Sequence, residues 1–280
     1  VALGNYVRSA LVSIENVLIP AGLKKHGSSK GAALASYGMI KGMVMPILTF
    51  PSAILGAFSS LLIPEVSENN AVNNRSKIEY IIDKSLGATL IFSVIVTVVF
   101  FCYSKEIGNI FYKSEQCGNL MLILTPLIPL LYLDSIVDSL LKGLNQQLSA
   151  MKYNTADSVI RVILIYFLVP NLGVWGYIAV LFVGTIFNFS MSLNRLIKVS
   201  QVKIKWDKWV IKPLIGAGVA VLITKTVFLI FKDFGMGMTV VTFIKIGIIL
   251  VFYYIFLRML GVITKKEVLW IKYALQGIKG

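Results

Sequence analysis

LGATLIFSVIVTVVFFCY, residues 86–103, decides the architecture. It is uncharged, apolar on every face, and lacks the strict alternation that a barrel strand needs. A helix rising about 1.5 Å per residue needs about 20 such residues to cross a hydrocarbon layer about 30 Å thick. Unpaired backbone groups in lipid cost several kcal/mol each, so a helix is the form this run takes in a bilayer. Working outward, further stretches read the same way, and eight spans are predicted at 3–22, 37–63, 84–103, 118–141, 154–170, 174–194, 211–231 and 239–260.

Composition agrees with an all-α integral membrane protein. The chain of 280 residues is 57% hydrophobic, with mean hydropathy +0.81 and 14% charged residues. Soluble domains hold about 25% charged residues, and a disordered chain could not keep so much apolar surface in water. The formal charge of +14 comes from 27 Lys+Arg against 13 Asp+Glu. With loops assigned alternately, basic residues concentrate on one side of the membrane. The positive-inside rule then accounts for the charge, places both chain ends in the cytoplasm, and leaves no need for a nucleic-acid partner. Cys102, Cys117 and His26 supply no disulfide framework, metal cluster or His-based triad. No hydrolase, nucleotide-binding or zinc-protease motif occurs, so no enzyme activity and no cofactor are expected. A chain that opens at Val1, with Arg8 and Glu15 in its first apolar stretch, does not read as a signal peptide. It is expected to be the later part of a longer protein.

The linkers are polar. EVSENNAVNNRSKIEY at 65–80 reads as a solvated loop with room for an interfacial turn of helix, and PNLGVWG at 170–176 as a tight hairpin with Trp175 and Tyr177 at the interface. The basic run NRLIKVSQVKIKWDKWVIK at 194–212, with Trp206 and Trp209, suits contact with anionic membrane lipid.

Function is sought among the ionisable residues at membrane depth, which cost about 2.5–3.5 kcal/mol each unless they meet water or a partner. Asn5, Arg8 and Glu15 share one helix face. They either wall a cavity, or Arg8 snorkels while Glu15 pairs with another helix. Lys41 lies in a span interrupted by Gly38, Gly42, Pro46, Pro51 and Gly56, and the two prolines predict a bend near 42–51. A bent helix bearing a cation suits an anionic group such as phosphate; a snorkelling Lys41 is the alternative. Asp134, Asp138 and Lys142 form an i, i+4, i+8 stripe, read as an Asp138–Lys142 ion pair or as a proton or cation relay. Asn154, Asp157, Ser158 and Arg161 share a side, where Asp157 and Arg161 neutralise each other or the oxygens hold a cation. Lys225 and Lys245 read as snorkelling, and His26 as solvated.

Residues 14–68 resemble the seventh and eighth helices of the stage V sporulation protein B-like polysaccharide biosynthesis proteins. The resemblance rests on VLIP at 17–20, on Tyr37, Gly38, Gly42, Met43 and Pro46, on FPS at 50–52, and on LLIPEVSE at 61–68. RVILIYFLVPNLGVWGYIAV at 161–180 is similar to the eleventh and twelfth helices of the same family. That family sits in the multidrug/oligosaccharidyl-lipid/polysaccharide exporter superfamily, beside the lipid II flippase MurJ.

The resemblance implies a fourteen-helix fold of two lobes plus two extra helices. Residues 1–200 would be the C-terminal six-helix lobe and 201–280 the extra pair, with the N-terminal lobe absent. It further implies a flippase of the bacterial plasma membrane that moves a lipid-linked oligosaccharide or peptidoglycan precursor by alternating access. Arg8, Glu15 and Lys41 would line its cavity, and Glu15, Asn154 and Asp157 would hold any coupling ion, Na+ or H+, unless the membrane potential drives transport. A drug/cation antiporter of the same superfamily and a non-transporting scaffold in cell-wall or spore assembly are the alternatives.

Overall fold

The computed structural model describes residues 2–27, 29–202, 207–230 and 237–263. Both chain ends lie outside these residues, and so does the expectation that they face the cytoplasm. Trp206 and the loop cations Lys203, Lys205, Lys232, Lys265, Lys266, Lys272 and Lys279 also lie outside them.

The described residues form helices α1 (Ala2–Lys25), α2 (Lys30–Gly38), α3 (Met45–Thr49), α4 (Ala53–Ala71), α5 (Arg75–Tyr112), α6 (Glu115–Leu124), α7 (Ile128–Gly143), α8 (Gln147–Leu172), α9 (Val174–Ser200), α10 (Lys212–Ile230) and α11 (Met238–Met259). No strand occurs among them. Seven stretches are long and apolar enough to cross a membrane: Gly31–Ala71, Arg75–Tyr112, Glu115–Gly143, Gln147–Leu172, Val174–Ser200, Asp207–Leu229 and Met238–Met259. The eighth expected span is α1, which has the length, 24 residues, but whose hydropathy is diluted by Asn5, Arg8, Glu15 and Asn16. It lies along α8 with Ile19 and Leu23 buried.

The second span is broken where its prolines predict. A wide π-helical turn, Met39–Val44, precedes Pro46, and a tight 3-10 turn, Phe50–Ser52, surrounds Pro51. Proline removes an intrahelical donor and pushes against the preceding turn, so the backbone must widen or tighten locally. Two tyrosines reach carbonyls at the breaks. The buried Tyr132 hydroxyl donates to Leu48 O at 2.8 Å, and Tyr112 reaches Met43 O at 3.4 Å. In lipid, freed carbonyls need such neighbours because water is absent.

α7 sits at the centre and packs against α4, α5 and α9. Leu62 and Val66 of α4 and Ile136, Val137 and Leu140 of α7 are fully buried. Apolar side chains gain little by leaving lipid, so this packing rests on shape complementarity and dispersion. α8 and α9 form the expected hairpin around Gly173, at φ 59° and ψ −133°, a backbone state that glycine alone adopts easily. α10 and α11 pair and contact α5, with Tyr253 donating to Ile91 O at 2.8 Å.

Three local expectations are corrected. The loop expected over 65–80 is helical at both ends, with only Val72–Asn74 outside. Asn74 caps α5 by accepting from Lys77 N at 3.3 Å, and Asn73 takes the left-handed turn at φ 52°. Tyr177 is buried at 7% exposure, whereas Trp175 is exposed as expected. Trp209 is buried as well, its indole lying close to Gly87 of α5.

Candidate functional site

Glu15 of α1, Lys41 of the π-helical turn, Met45, Pro46 and Thr49 of α3, Arg161 and Ile165 of α8, and Tyr177, Val180 and Leu181 of α9 surround one cavity of about 520 Å3. The broken second span positions Lys41 and Pro46 in its wall, since the wide turn places Lys41 opposite α1. Lys41 Nζ donates to Asn16 Oδ1, the same oxygen that receives the Tyr37 hydroxyl at 2.7 Å. The Lys41 ammonium also lies 5.5 Å from the Tyr37 ring centre, a cation–π distance. Tyr37 in turn packs on Tyr177, ring centres 5.9 Å apart.

On the opposite wall Arg161 is held by Asp157. Its Nε donates to both carboxylate oxygens, at 2.9 and 2.8 Å. The i, i+4 pair read from the sequence is therefore formed. One guanidinium nitrogen lies 3.5 Å from Thr185 Oγ1, at the limit of a hydrogen bond. Gly184 makes room for the pair, because a Cβ there would stand 2.5 Å from Arg161 Nε and 2.7 Å from Asp157 Oδ1. Glu15 Oε1 is buried without a hydrogen-bond partner. The cavity thus sets one acid with an unpartnered oxygen and one bound guanidinium against a lysine whose partners are neutral. With Asp157 counted, these charges balance, so the described wall offers hydrogen-bond donors rather than surplus positive charge.

The predicted residues divide between places. Glu15, Lys41 and Pro46 meet at the cavity. Arg8 lies two helical turns before Glu15 on the same helix, is exposed, and is not among the lining residues. Pro51 shapes the second break and does not line the cavity. The proposed ion set of Glu15, Asn154 and Asp157 is split. Asp157 is taken by Arg161, and Asn154 belongs to a separate layer, donating to Asp138 Oδ2 at 3.2 Å. The expected Asp138–Lys142 pair does not form among the described residues: Lys142 is exposed, and Asp138 turns across to α8 instead. Asn188 of α9 completes that layer, donating to Asp134 Oδ2 at 2.9 Å and to Asn154 Oδ1 at 3.1 Å.

Lys225 is exposed, while Lys245 sets its ammonium 4.7 Å from the centre of the Phe228 ring. His26 Nδ1 lies 3.3 Å from Pro170 O, so this exposed side chain has a partner at the α8–α9 hairpin. Asn16 and Asn188 were missed by the sequence reading, and Tyr37 and Tyr177 were named in it only for the family pattern and the membrane interface. A polar residue next to Glu15 at membrane depth was the available signal for Asn16; the others are single polar groups whose facing depends on tertiary packing.

Residues 27–167, half of the chain, match the MatE family model. The chain is 25% identical over 193 residues to stage V sporulation protein B of Bacillus subtilis (strain 168), an alignment covering 68% of this chain and 37% of that protein. It is 23% identical over 194 residues to sporulation protein YkvU of the same organism, covering 69% of this chain and 44% of that protein. The chain therefore spans less than half the length of the curated relatives it matches. Its helices and this match describe a multi-pass membrane protein, and the chain belongs to the MatE family.

Proposed function

We propose that this chain is part of a non-enzymatic flippase of the bacterial plasma membrane, moving a lipid-linked oligosaccharide or lipid II-like precursor between leaflets by alternating access. The observation that carries the reading is the cavity that joins Lys41 on a broken apolar helix to Arg161 and Glu15. A sugar-pyrophosphate head cannot cross hydrocarbon without substitute contacts, and a polar cavity between bendable helices supplies them. Lys41 would meet the anion as a mobile point charge. Arg161, oriented by Asp157 through Nε, would offer its remaining guanidinium N–H donors in a planar fork that fits phosphate oxygens. The two breaks in the second span are where that helix would flex as the lobes rock. The rest of the cavity, and the sign of its total charge, would come from an N-terminal lobe of the same protein.

Drug/cation antiport draws its support from the unpartnered Glu15 oxygen in the same cavity. Against it, the wall and its bound pair carry as many bases, Lys41 and Arg161, as acids, Glu15 and Asp157.

The test is head-group translocation by the full-length protein reconstituted with a lipid-linked oligosaccharide. Translocation above empty vesicles, lowered about tenfold or more by Lys41→Gln, is expected, the size of one lost charged contact of about 1.5–3 kcal/mol. Translocation no faster than in empty vesicles under several ion gradients and potentials rejects the reading. Rescue of toxic-compound resistance instead would favour antiport. A scaffold would tolerate Lys41→Gln with its assembly role intact.

A further inference from the structure

Lys41 rests on neutral partners although an acid lines the same cavity. Its ammonium donates to Asn16 Oδ1 and lies 5.5 Å from the Tyr37 ring centre. Glu15, one residue before Asn16 on α1, shares the cavity wall with Lys41, yet the two form no ion pair among the described residues. One Glu15 oxygen, Oε1, is buried without a hydrogen-bond partner. A carboxylate is the stronger acceptor for an ammonium, and a lysine stem is long and flexible. An ammonium that rests on an amide oxygen beside an under-satisfied carboxylate is therefore steered there by its surroundings.

Those surroundings come from α1, α2 and α9. Adjacent positions on a helix point about 100° apart, so a donor drawn to residue 16 is turned away from residue 15. Lysine can only donate, so the Asn16 amide must present its oxygen. The same oxygen accepts the Tyr37 hydroxyl at 2.7 Å, which holds the amide in that orientation. Tyr37 is in turn seated on the buried Tyr177, ring centres 5.9 Å apart. Tyr37 thus offers the ammonium a ring face and, through its hydroxyl, fixes the oxygen that the ammonium needs. Asn16 and Lys41 are both exposed, so the ammonium stays reachable from the cavity.

Arg161, the other cation of the wall, shows the contrasting arrangement. Its Nε donates to both oxygens of Asp157, and its charge is cancelled where it stands. An anion that reaches Lys41 has no ion pair to break and gains a charge-assisted contact. Were the ammonium paired with Glu15, the same anion would only exchange one ion pair for another.

We propose that Asn16 and Tyr37 are positioning residues for anion recognition: together they keep the Lys41 ammonium off Glu15, so that its charge stays available to a phosphate or pyrophosphate group in the cavity. The identity of that group rests on the flippase reading. What is added to it is the pair of neutral side chains that keeps the receiving cation from being cancelled by its own acid.

The test is equilibrium binding of a radiolabelled polyprenyl pyrophosphate to the intact full-length protein in detergent. Asn16→Ala frees Lys41 to pair with Glu15 and is expected to weaken binding about tenfold or more, the size of one charged contact. Tyr37→Phe, a milder change, lets the amide turn and should weaken binding in the same direction. On a Glu15→Gln background either change should cost nothing, because the acid that captures the ammonium is gone. On a Lys41→Gln background Asn16→Ala should also have no further effect, since residues that act through one another are not additive. Asn16→Ala and Tyr37→Phe proteins that bind as the parent does overturn the inference. So does a loss of equal size on the Glu15→Gln background, which marks Asn16 as a structural tie or a direct ligand. A parent protein that binds no polyprenyl pyrophosphate overturns the flippase reading and this inference together, whereas a parent that binds it without coupling between positions 15 and 16 overturns this inference alone.

Discussion

Asp157 and Arg161 show how closely a single pair can be specified. They are mostly buried, with side-chain exposures of 11% and 20%, and their contact passes beside a glycine that admits no methyl group. Gly184→Ala is expected to lower stability by about 1–3 kcal/mol through overpacking, read as a lower thermal midpoint in micelles. Gly247→Ala, with nothing within 4 Å, should change it little. Asp157→Asn leaves the guanidinium without its counter-charge and should cost about 3 kcal/mol or more, exceeding the effect of Lys41→Gln, whose lysine is exposed. The pair was legible in the sequence because i, i+4 spacing brings the residues together on any helix. The Asp138–Lys142 pair had the same spacing and does not form. Asn154, sixteen positions on, offers Asp138 a buried donor, while Lys142 reaches out of the bundle. Spacing fixes neighbours on one helix but says nothing of what the next helix presents.

The broken second span was legible from Pro46 and Pro51, since proline acts locally. What stabilises the breaks was not, because Tyr132 lies 84 residues from Leu48. Tyr132→Phe removes the donor to the Leu48 carbonyl and should cost about 1–3 kcal/mol in thermal stability, the penalty of orphaning a buried acceptor. Pro46→Ala returns a donor to the helix. It should raise stability slightly while lowering transport if the bend positions Lys41, and equal transport in both forms would show the bend to be incidental to function. The third span illustrates the opposite error. Its hydrophobic centre is clear, but the Asn-rich stretch before it reads as a loop with at most a turn of helix, whereas it ends α4 and opens α5, with Asn74 capping the latter. Asn and Ser mark helix ends as often as loops, and one sequence does not separate the two uses.

Hydropathy located seven of the eight expected spans in their order, because lipid acts on every residue of a span alike; α1 has the length and not the apolarity. The site was less legible because it is assembled from α1, the broken span, α8 and α9, whose contact is set by packing rather than by any local pattern. The resulting molecule carries two polar layers. One is a cavity that joins Glu15, Lys41 and Arg161, and the other is the buried Asp134–Asn188 network, about two to three turns away along α8 and α9. The central claim is that the first layer is open to water inside the bilayer while the second is closed. The most direct test introduces single cysteines at positions 15, 41 and 138 in the intact protein in vesicles, on a background without Cys102 and Cys117, and measures reaction with a membrane-impermeant thiol reagent. Reaction at 15 and 41, slowed by a lipid-linked oligosaccharide, with 138 unreactive, is the predicted result. Positions 15 and 41 as unreactive as 138, from both sides of the membrane, would contradict it.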